Sequence, residues 1–312
     1  MKVAIVDLGT NTCRLFLAEV SGGRVRQEAR VTTVERLGQG VDETGRLHED
    51  AAERTHACLK GYAADIDAYG PERRLLVATS VVRDARDGKQ FLKAVRYEFA
   101  LPWRILSGEE EGRLAFRGGT SWLDDRSPDP LLLVDIGGGS TEFAVGSAGR
   151  SPSFVRSLDV GVVRLTERLL HVDPPPAAET TALAGHVAAA IHAAVPADLR
   201  AAVRGAVGVA GTYTTLVANK LGMTEYDARR VQGHVLSLPD IDGAIARFSA
   251  MTSAERGRLP GIQPGREDVI LAGALIAREA CRAFGLDAVS VSEADLLEGA
   301  ALALADGSLT PS

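Results

Sequence analysis

Lysine is scarce in this chain: only five of its 35 basic residues are Lys, and 41 acidic residues bring the net charge to −6. That balance offers no general field for nucleic acid, whose binding draws on many phosphate contacts at once. Local arginines can still outweigh a mildly acidic total, and the planar guanidinium suits bidentate phosphate binding. Cysteine is nearly as sparse. Cys13, Cys58 and Cys281 are odd in number, far apart in sequence and without metal-ligand spacing, so a reduced, cytoplasmic setting is expected. The six His show no HxxxH or similar pattern. No apolar stretch approaches the roughly 20 residues of a membrane span, so no membrane association is expected. The opening run MKVAIVDLGTN is broken by Asp7 and has no small-residue cleavage site. It reads as a first strand and not as a signal peptide.

Against these absences stands an ordinary globular composition, 46% hydrophobic and 24% charged over 312 residues, enough for two domains. The most informative feature is a weak internal repeat. VAIVDLGTN (3–11) and LLLVDIGGG (131–139) share four apolar residues, an Asp, another apolar residue and a Gly. Each is followed by a second strand, at 13–20 and 141–146, and by a third, at 24–34 and 153–158. Helical periodicity then takes over at 50–69, 89–100 and 109–118 in the first half, and at 180–194, 212–221, 267–284 and 293–305 in the second. Buried strands read at 74–80, 102–107, 205–209 and 288–291. Alternating strands and helices after a three-strand opening predict an α/β fold with mixed sheets. The domains are expected at 1–122 and 123–312, divided in the polar run SWLDDRSPDP, with the final helix able to pack back on the first domain.

The two repeats carry the chemistry. Asp7 and Asp135 each end a strand, and each is followed by a glycine-containing turn. The first turn presents Thr10, Asn11 and Thr12; the second contains Gly137, Gly138 and Gly139 and presents Ser140 and Thr141. Consecutive backbone N–H groups in such turns form an anion-binding concavity. A carboxylate beside it offers oxygen to Mg²⁺, which binds through one or two carboxylates and retains several waters.

VDLGTNT with VDIGGGSTE resembles the paired phosphate loops of the actin-like ATPase superfamily, whose two ribonuclease-H-like domains hold phosphate in an interdomain cleft. ATSVVRDARDG (78–88), ILSGEEEGRLAFRG (105–118), GVAGTYTT (208–215), GIQPGREDVILAG (261–273) and VSEADLLEGA (291–300) narrow the resemblance to the exopolyphosphatase / guanosine pentaphosphate phosphohydrolase family. It covers nearly the whole chain.

The resemblance implies a Mg²⁺- or Mn²⁺-dependent phosphoanhydride hydrolase and a tendency to form homodimers. Glu111 takes the place of the catalytic base and Glu142 of a second catalytic carboxylate. Asp135 is the first metal-ligand candidate and Asp7 the second. Arg83 corresponds to an arginine that holds the substrate phosphates, and Arg266 to a further substrate contact. Removal of terminal phosphate from inorganic polyphosphate is the leading expectation. Hydrolysis of guanosine pentaphosphate would use the same residues. A kinase-like ATPase and a non-catalytic polyphosphate or nucleotide sensor are the remaining readings. Many members carry an Arg in the motif where this chain has SEADLLEG (292–299), with Glu293 and Asp295 in it. The chain ends at Ser312, soon after its last helix, without the helical extension of longer members, and short polyphosphates are the expected preference.

Overall fold

A computed structural model describes residues 1–124 and 126–312. The strand–turn–strand–strand opening of each half folds as an antiparallel meander. In the first half these are β1 (Lys2–Leu8), β2 (Thr12–Ser21) and β3 (Arg24–Val34). The chain continues through α1 (Val41–Thr44), α2 (Glu49–Tyr69), β4 (Arg73–Ala78), α3 (Ser80–Asp84), α4 (Gly88–Phe99), β5 (Trp103–Ile105) and α5 (Gly108–Gly119). Parallel pairing of β4 with β1, and of β5 with β4, gives the order β3-β2-β1-β4-β5.

The second half repeats the plan. β6 (Leu131–Ile136), β7 (Thr141–Gly146) and β8 (Phe154–Leu158) form its meander, followed by α6 (Val162–Leu169), α7 (Ala177–Ala194) and α8 (Ala197–Ala202). β9 (Gly205–Val209) lies parallel to β6. Next come α9 (Ala210–Lys220), α10 (Ala228–Val231), β10 (Val235–Ser237), α11 (Leu238–Ser249), α12 (Ser253–Arg256), α13 (Ile270–Ala283) and β11 (Ala288–Val291). The sheet order is β10-β11-β9-β6-β7-β8. Two mixed sheets with the same opening order are the duplicated ribonuclease-H-like architecture expected for the actin-like ATPase superfamily.

The compact units are Met1–Leu114 with Leu296–Ser312, and Ala115–Asp295. The last helix, α14 (Leu296–Asp306), therefore belongs to the first unit. The division expected after residue 122 falls beyond the end of α5.

Each sheet is buried on both faces, which is why its central strands read as unbroken apolar runs. Strand alternation assigns the faces. In the first unit Ala4, Val6 and Leu8 pack toward α2 and α4, while Val3 and Ile5 pack toward α14. Asp7 is in register with that second set. In the second unit Leu132, Val134 and Ile136 face the α7 and α13 core, and Leu133 faces Ala115 and Phe116 of α5. Asp135 shares the Leu133 face. No described helix is long and apolar enough to cross a membrane.

Candidate active site

In the first unit the loop after Asp7 is closed by Gly9 N–H donating to the Thr12 carbonyl, at 3.0 Å. Its outer carbonyls are taken by the segment that follows β3. Glu35 and Arg36 N–H groups both donate to the Asn11 carbonyl, and Gly38 N–H donates to that of Thr10 at 2.8 Å. A Cβ on Gly38 would lie 2.1 Å from Thr10 Cγ2, so only glycine permits this approach. Thr10 Oγ1 also bonds Ser80 Oγ at 3.0 Å. The Asn11 side chain is buried, and neither of its amide atoms has a hydrogen-bond partner among the described residues. A buried amide left so costs about 1–3 kcal/mol. A polar ligand at this loop would remove that cost.

The second unit repeats the device. Gly137 N–H donates to the Ser140 carbonyl at 3.0 Å. The start of α6 then grips the loop: Val162 N–H bonds the Gly137 carbonyl at 3.0 Å and Val163 N–H bonds that of Gly138 at 2.9 Å. Arg164 Nε–H bonds the Gly139 carbonyl at 2.8 Å. A Cβ on Gly161 would sit 2.3 Å from the Gly138 carbonyl oxygen, so this residue too must be glycine.

The consequence follows from peptide planarity. In a trans peptide the N–H points opposite to the preceding carbonyl. Carbonyls of Gly137, Gly138 and Gly139 turned toward α6 therefore aim the N–H groups of Gly138, Gly139 and Ser140 the other way. Among the described residues none of these three donates to a backbone carbonyl. Three consecutive outward amides form an anion-binding concavity.

The carboxylates differ between the units. Asp7 sits opposite Arg14 across β1 and β2. Arg14 donates to Asp7 Oδ2 through Nε at 2.8 Å and approaches it through Nη2 at 2.7 Å. In the second unit the same cross-strand place pairs Asp135 with Glu142, and Glu142 with Ser157. Both carboxylates are buried, Glu142 at 1% exposure, and Ser157 Oγ donates to Glu142 Oε1 at 2.6 Å. Glu142 is thus no surface residue of its strand.

Like charges directly opposite each other destabilise a strand pair. A divalent cation at the Asp135–Glu142 pair would relieve that repulsion. Among the described residues no group of three or more His, Cys, Asp or Glu could hold a metal. Two carboxylates with water and substrate oxygens are the donor set that Mg²⁺ uses, so the pair fits such an ion.

Glu109, Glu110 and Glu111 occupy the first turn of α5 with different tasks. Glu110 caps the helix: Ser107 N–H donates to its Oε2 at 2.8 Å, and its own N–H donates to Ser107 Oγ at 3.2 Å. Burial works to raise its carboxyl, but the bonds from Ser107 and Arg104 outweigh it and hold the group below the usual carboxylate range. Glu111 is buried and meets Arg83, whose Nη1 donates to Glu111 Oε2 at 3.2 Å and to the Leu106 carbonyl at 2.6 Å. The expected base and the expected phosphate-binding arginine are therefore neighbours.

Arg266 belongs to the second unit. Its guanidinium lies against Gly211 at the start of α9, where a Cβ would come within 1.9 Å of Nη1, and its Nε donates to Gln263 Oε1 at 3.1 Å. In the first unit Asp7, Thr10, Asn11 and Thr12 thus share one loop, and Arg83 meets Glu111 at the start of α5. The structure gathers Gly137–Thr141, Asp135 and Glu142 at one turn of the second, with Arg266 at α9. Sequence reading missed Arg14, Ser157 and the two buttresses, 35–38 and 161–164. The signal available was position: LGQG and DVGVVR each follow the third strand of a repeat.

The profile of the Ppx/GppA phosphatase family matches residues 18–306. Exopolyphosphatase 2 of Mycobacterium tuberculosis is 40% identical, over 97% of this chain and 98% of its own. Among solved structures, an exopolyphosphatase-like protein superposes with a TM-score of 0.91 at 34% identity, covering 99% of this chain and 100% of its own. The Aquifex aeolicus member of the Ppx/GppA family superposes with a TM-score of 0.83 at 32% identity, covering 99% of both chains.

Proposed function

The chain belongs to the Ppx/GppA phosphatase family, and from that premise we propose that it is an exopolyphosphatase, releasing terminal orthophosphate from inorganic polyphosphate. The observation that carries the proposal is the outward amide trio of Gly138, Gly139 and Ser140, held by α6. Backbone donors fixed in advance favour an oxyanion without reorganising during the reaction. The orphaned Asn11 amide supplies a second polar contact in the first unit.

In the reaction a water oxygen attacks the terminal phosphorus while the bridging P–O bond breaks. Orthophosphate leaves, and the shortened chain takes the bridging oxygen. Glu111 accepts the water proton, with Arg83 holding its Oε2 in place. Arg83 and Arg266 offer guanidinium charge to phosphate oxygens. Asp135, with Glu142 behind it, would hold Mg²⁺ or Mn²⁺. When bound, that ion neutralises charge on the phosphoryl oxygens.

Phosphate release from polyphosphate, guanosine pentaphosphate and ATP, measured side by side, tests the substrate. Polyphosphate should give the highest kcat/KM. Preference for ATP, or no release from any of the three, would overturn the proposal.

The metal role has its own expected outcome. A chelator should abolish turnover, and Asp135→Asn should raise the Mg²⁺ concentration needed for half-maximal rate. Calorimetric titration with Mn²⁺ should show the same weakening without any turnover. Undiminished activity in the chelator would remove the metal from this chemistry.

A further inference from the structure

Two of the three cysteines, far apart in the chain, meet in the fold. Cys13 is the second residue of β2, directly after Thr12, and is fully buried in the cluster that holds Ala4, Leu8 and Leu59. Its cross-strand partner is Thr33. Tyr62 of α2 covers this pair, with its hydroxyl 2.6 Å from Thr33 Oγ1 and donating to the Cys13 carbonyl at 3.1 Å. Cys58 lies one helical turn before Tyr62, on the same face of α2. It is half-buried and packs on the core that contains Cys13. α2 packs on β2, so Cys58 and Cys13 lie on facing elements of one buried cluster.

We propose that Cys58 and Cys13 form an oxidisable dithiol that takes a hydroperoxide as its substrate class and closes to an intramolecular disulfide between α2 and the root of the first phosphate loop. Cys58 is the attacking group, since it alone of the pair reaches solvent. The nearby Cys13, with Thr33 and Tyr62 adding to its effect, brings the Cys58 thiol down to about 7 against the opposing effect of burial. A large thiolate fraction near neutrality is what makes a thiol reactive.

The Cys58 thiolate attacks one peroxide oxygen. The O–O bond breaks, the alcohol leaves with a proton, and Cys58 becomes a sulfenic acid. The Cys13 sulfur then attacks the Cys58 sulfur. The S–O bond breaks, the Cys13 proton leaves with the hydroxyl as water, and the S–S bond forms. Two thiols supply two electrons, and the peroxide is reduced to alcohol and water.

Cys281 serves as an internal control. It is buried on α13, and burial pushes its thiol up to about 11. The test is tert-butyl hydroperoxide treatment of the whole protein, followed by non-reducing tryptic mapping. The expected product links peptide 3–14 to peptide 55–60, disappears with dithiothreitol, and leaves Cys281 free. Cys13→Ser should instead carry Cys58 on to sulfinic acid. If that variant does not fold, alkylation of the untreated protein decides: Cys58 should react with iodoacetamide well before Cys281. Sulfinic acid at Cys58 with Cys13 still free in the unaltered protein, intermolecular links only, or Cys281 reacting first would each overturn the proposal. The readout concerns thiols alone and is independent of phosphate hydrolysis.

Discussion

Replacing Glu111 by Gln should lower kcat on polyphosphate by roughly 10²–10⁴-fold, the usual contribution of a general base, with KM little changed. Gln has the same shape and keeps an oxygen for Arg83 Nη1, so the contact at 3.2 Å in the native protein can persist. What is lost is the proton acceptor alone. The residue lies in the first turn of α5 and is not its cap, which Glu110 supplies through Ser107. Thermal stability should therefore stay close to that of the unaltered protein. Steady-state phosphate release with a single-turnover control measures both parameters. Retention of more than about half the activity would exclude Glu111 as the base.

The second large effect is expected at a residue that touches no substrate. Gly161→Ala puts a methyl group where only 2.3 Å separates the new Cβ from the Gly138 carbonyl oxygen. The obstacle is backbone on both sides, so the loop or the start of α6 must move. Either movement turns the three amides away from their common direction. A hydrogen bond to a charged group contributes about 1.5–3 kcal/mol. Losing two such bonds to phosphate costs about 3 kcal/mol or more, a loss of roughly 100-fold in kcat/KM. Arg164→Met should show a smaller loss, because it frees one carbonyl and leaves the backbone grip of Val162 and Val163 intact. Tripolyphosphate affinity of both variants by calorimetry, with their melting temperatures, separates a displaced loop from an unfolded one. Native affinity in folded Gly161→Ala would dismiss the buttress.

The repeat was legible because two strands ending in Asp-x-Gly carry their own periodicity and turn chemistry. Asp7 and Asp135 do fall at the same place in two sheets of like order. The long apolar strands and the helices at α2, α4 and α13 were legible for the same reason, with ends displaced by a few residues. α6 was not legible. It has eight residues, and its N-cap, Gly161, makes no side-chain capping bond. α11 had a readable start in Ser237, Pro239 and Asp240, which form a capping box with Pro in the first turn.

The buttresses escape sequence reading on physical grounds. They are mostly backbone-to-backbone bonds between separate segments, and apart from their position after a third strand they leave as trace a glycine that must stay small. The different partners of the two Asp residues are equally tertiary. Arg14 and Glu142 are single letters in their strands until cross-strand register sets each opposite a carboxylate. Cys13 and Cys58 came together in the same way, although the spacing of the cysteines pointed to nothing shared.

The outward amides can be observed directly. In a proton–nitrogen correlation spectrum of the magnesium-loaded Glu111→Gln protein, tripolyphosphate should shift the Gly138, Gly139 and Ser140 amide protons downfield together. The same resonances should stay in place in Gly161→Ala at equal ligand concentration. Saturable tripolyphosphate binding that leaves all three amides unmoved would contradict the central claim that this loop holds the phosphate.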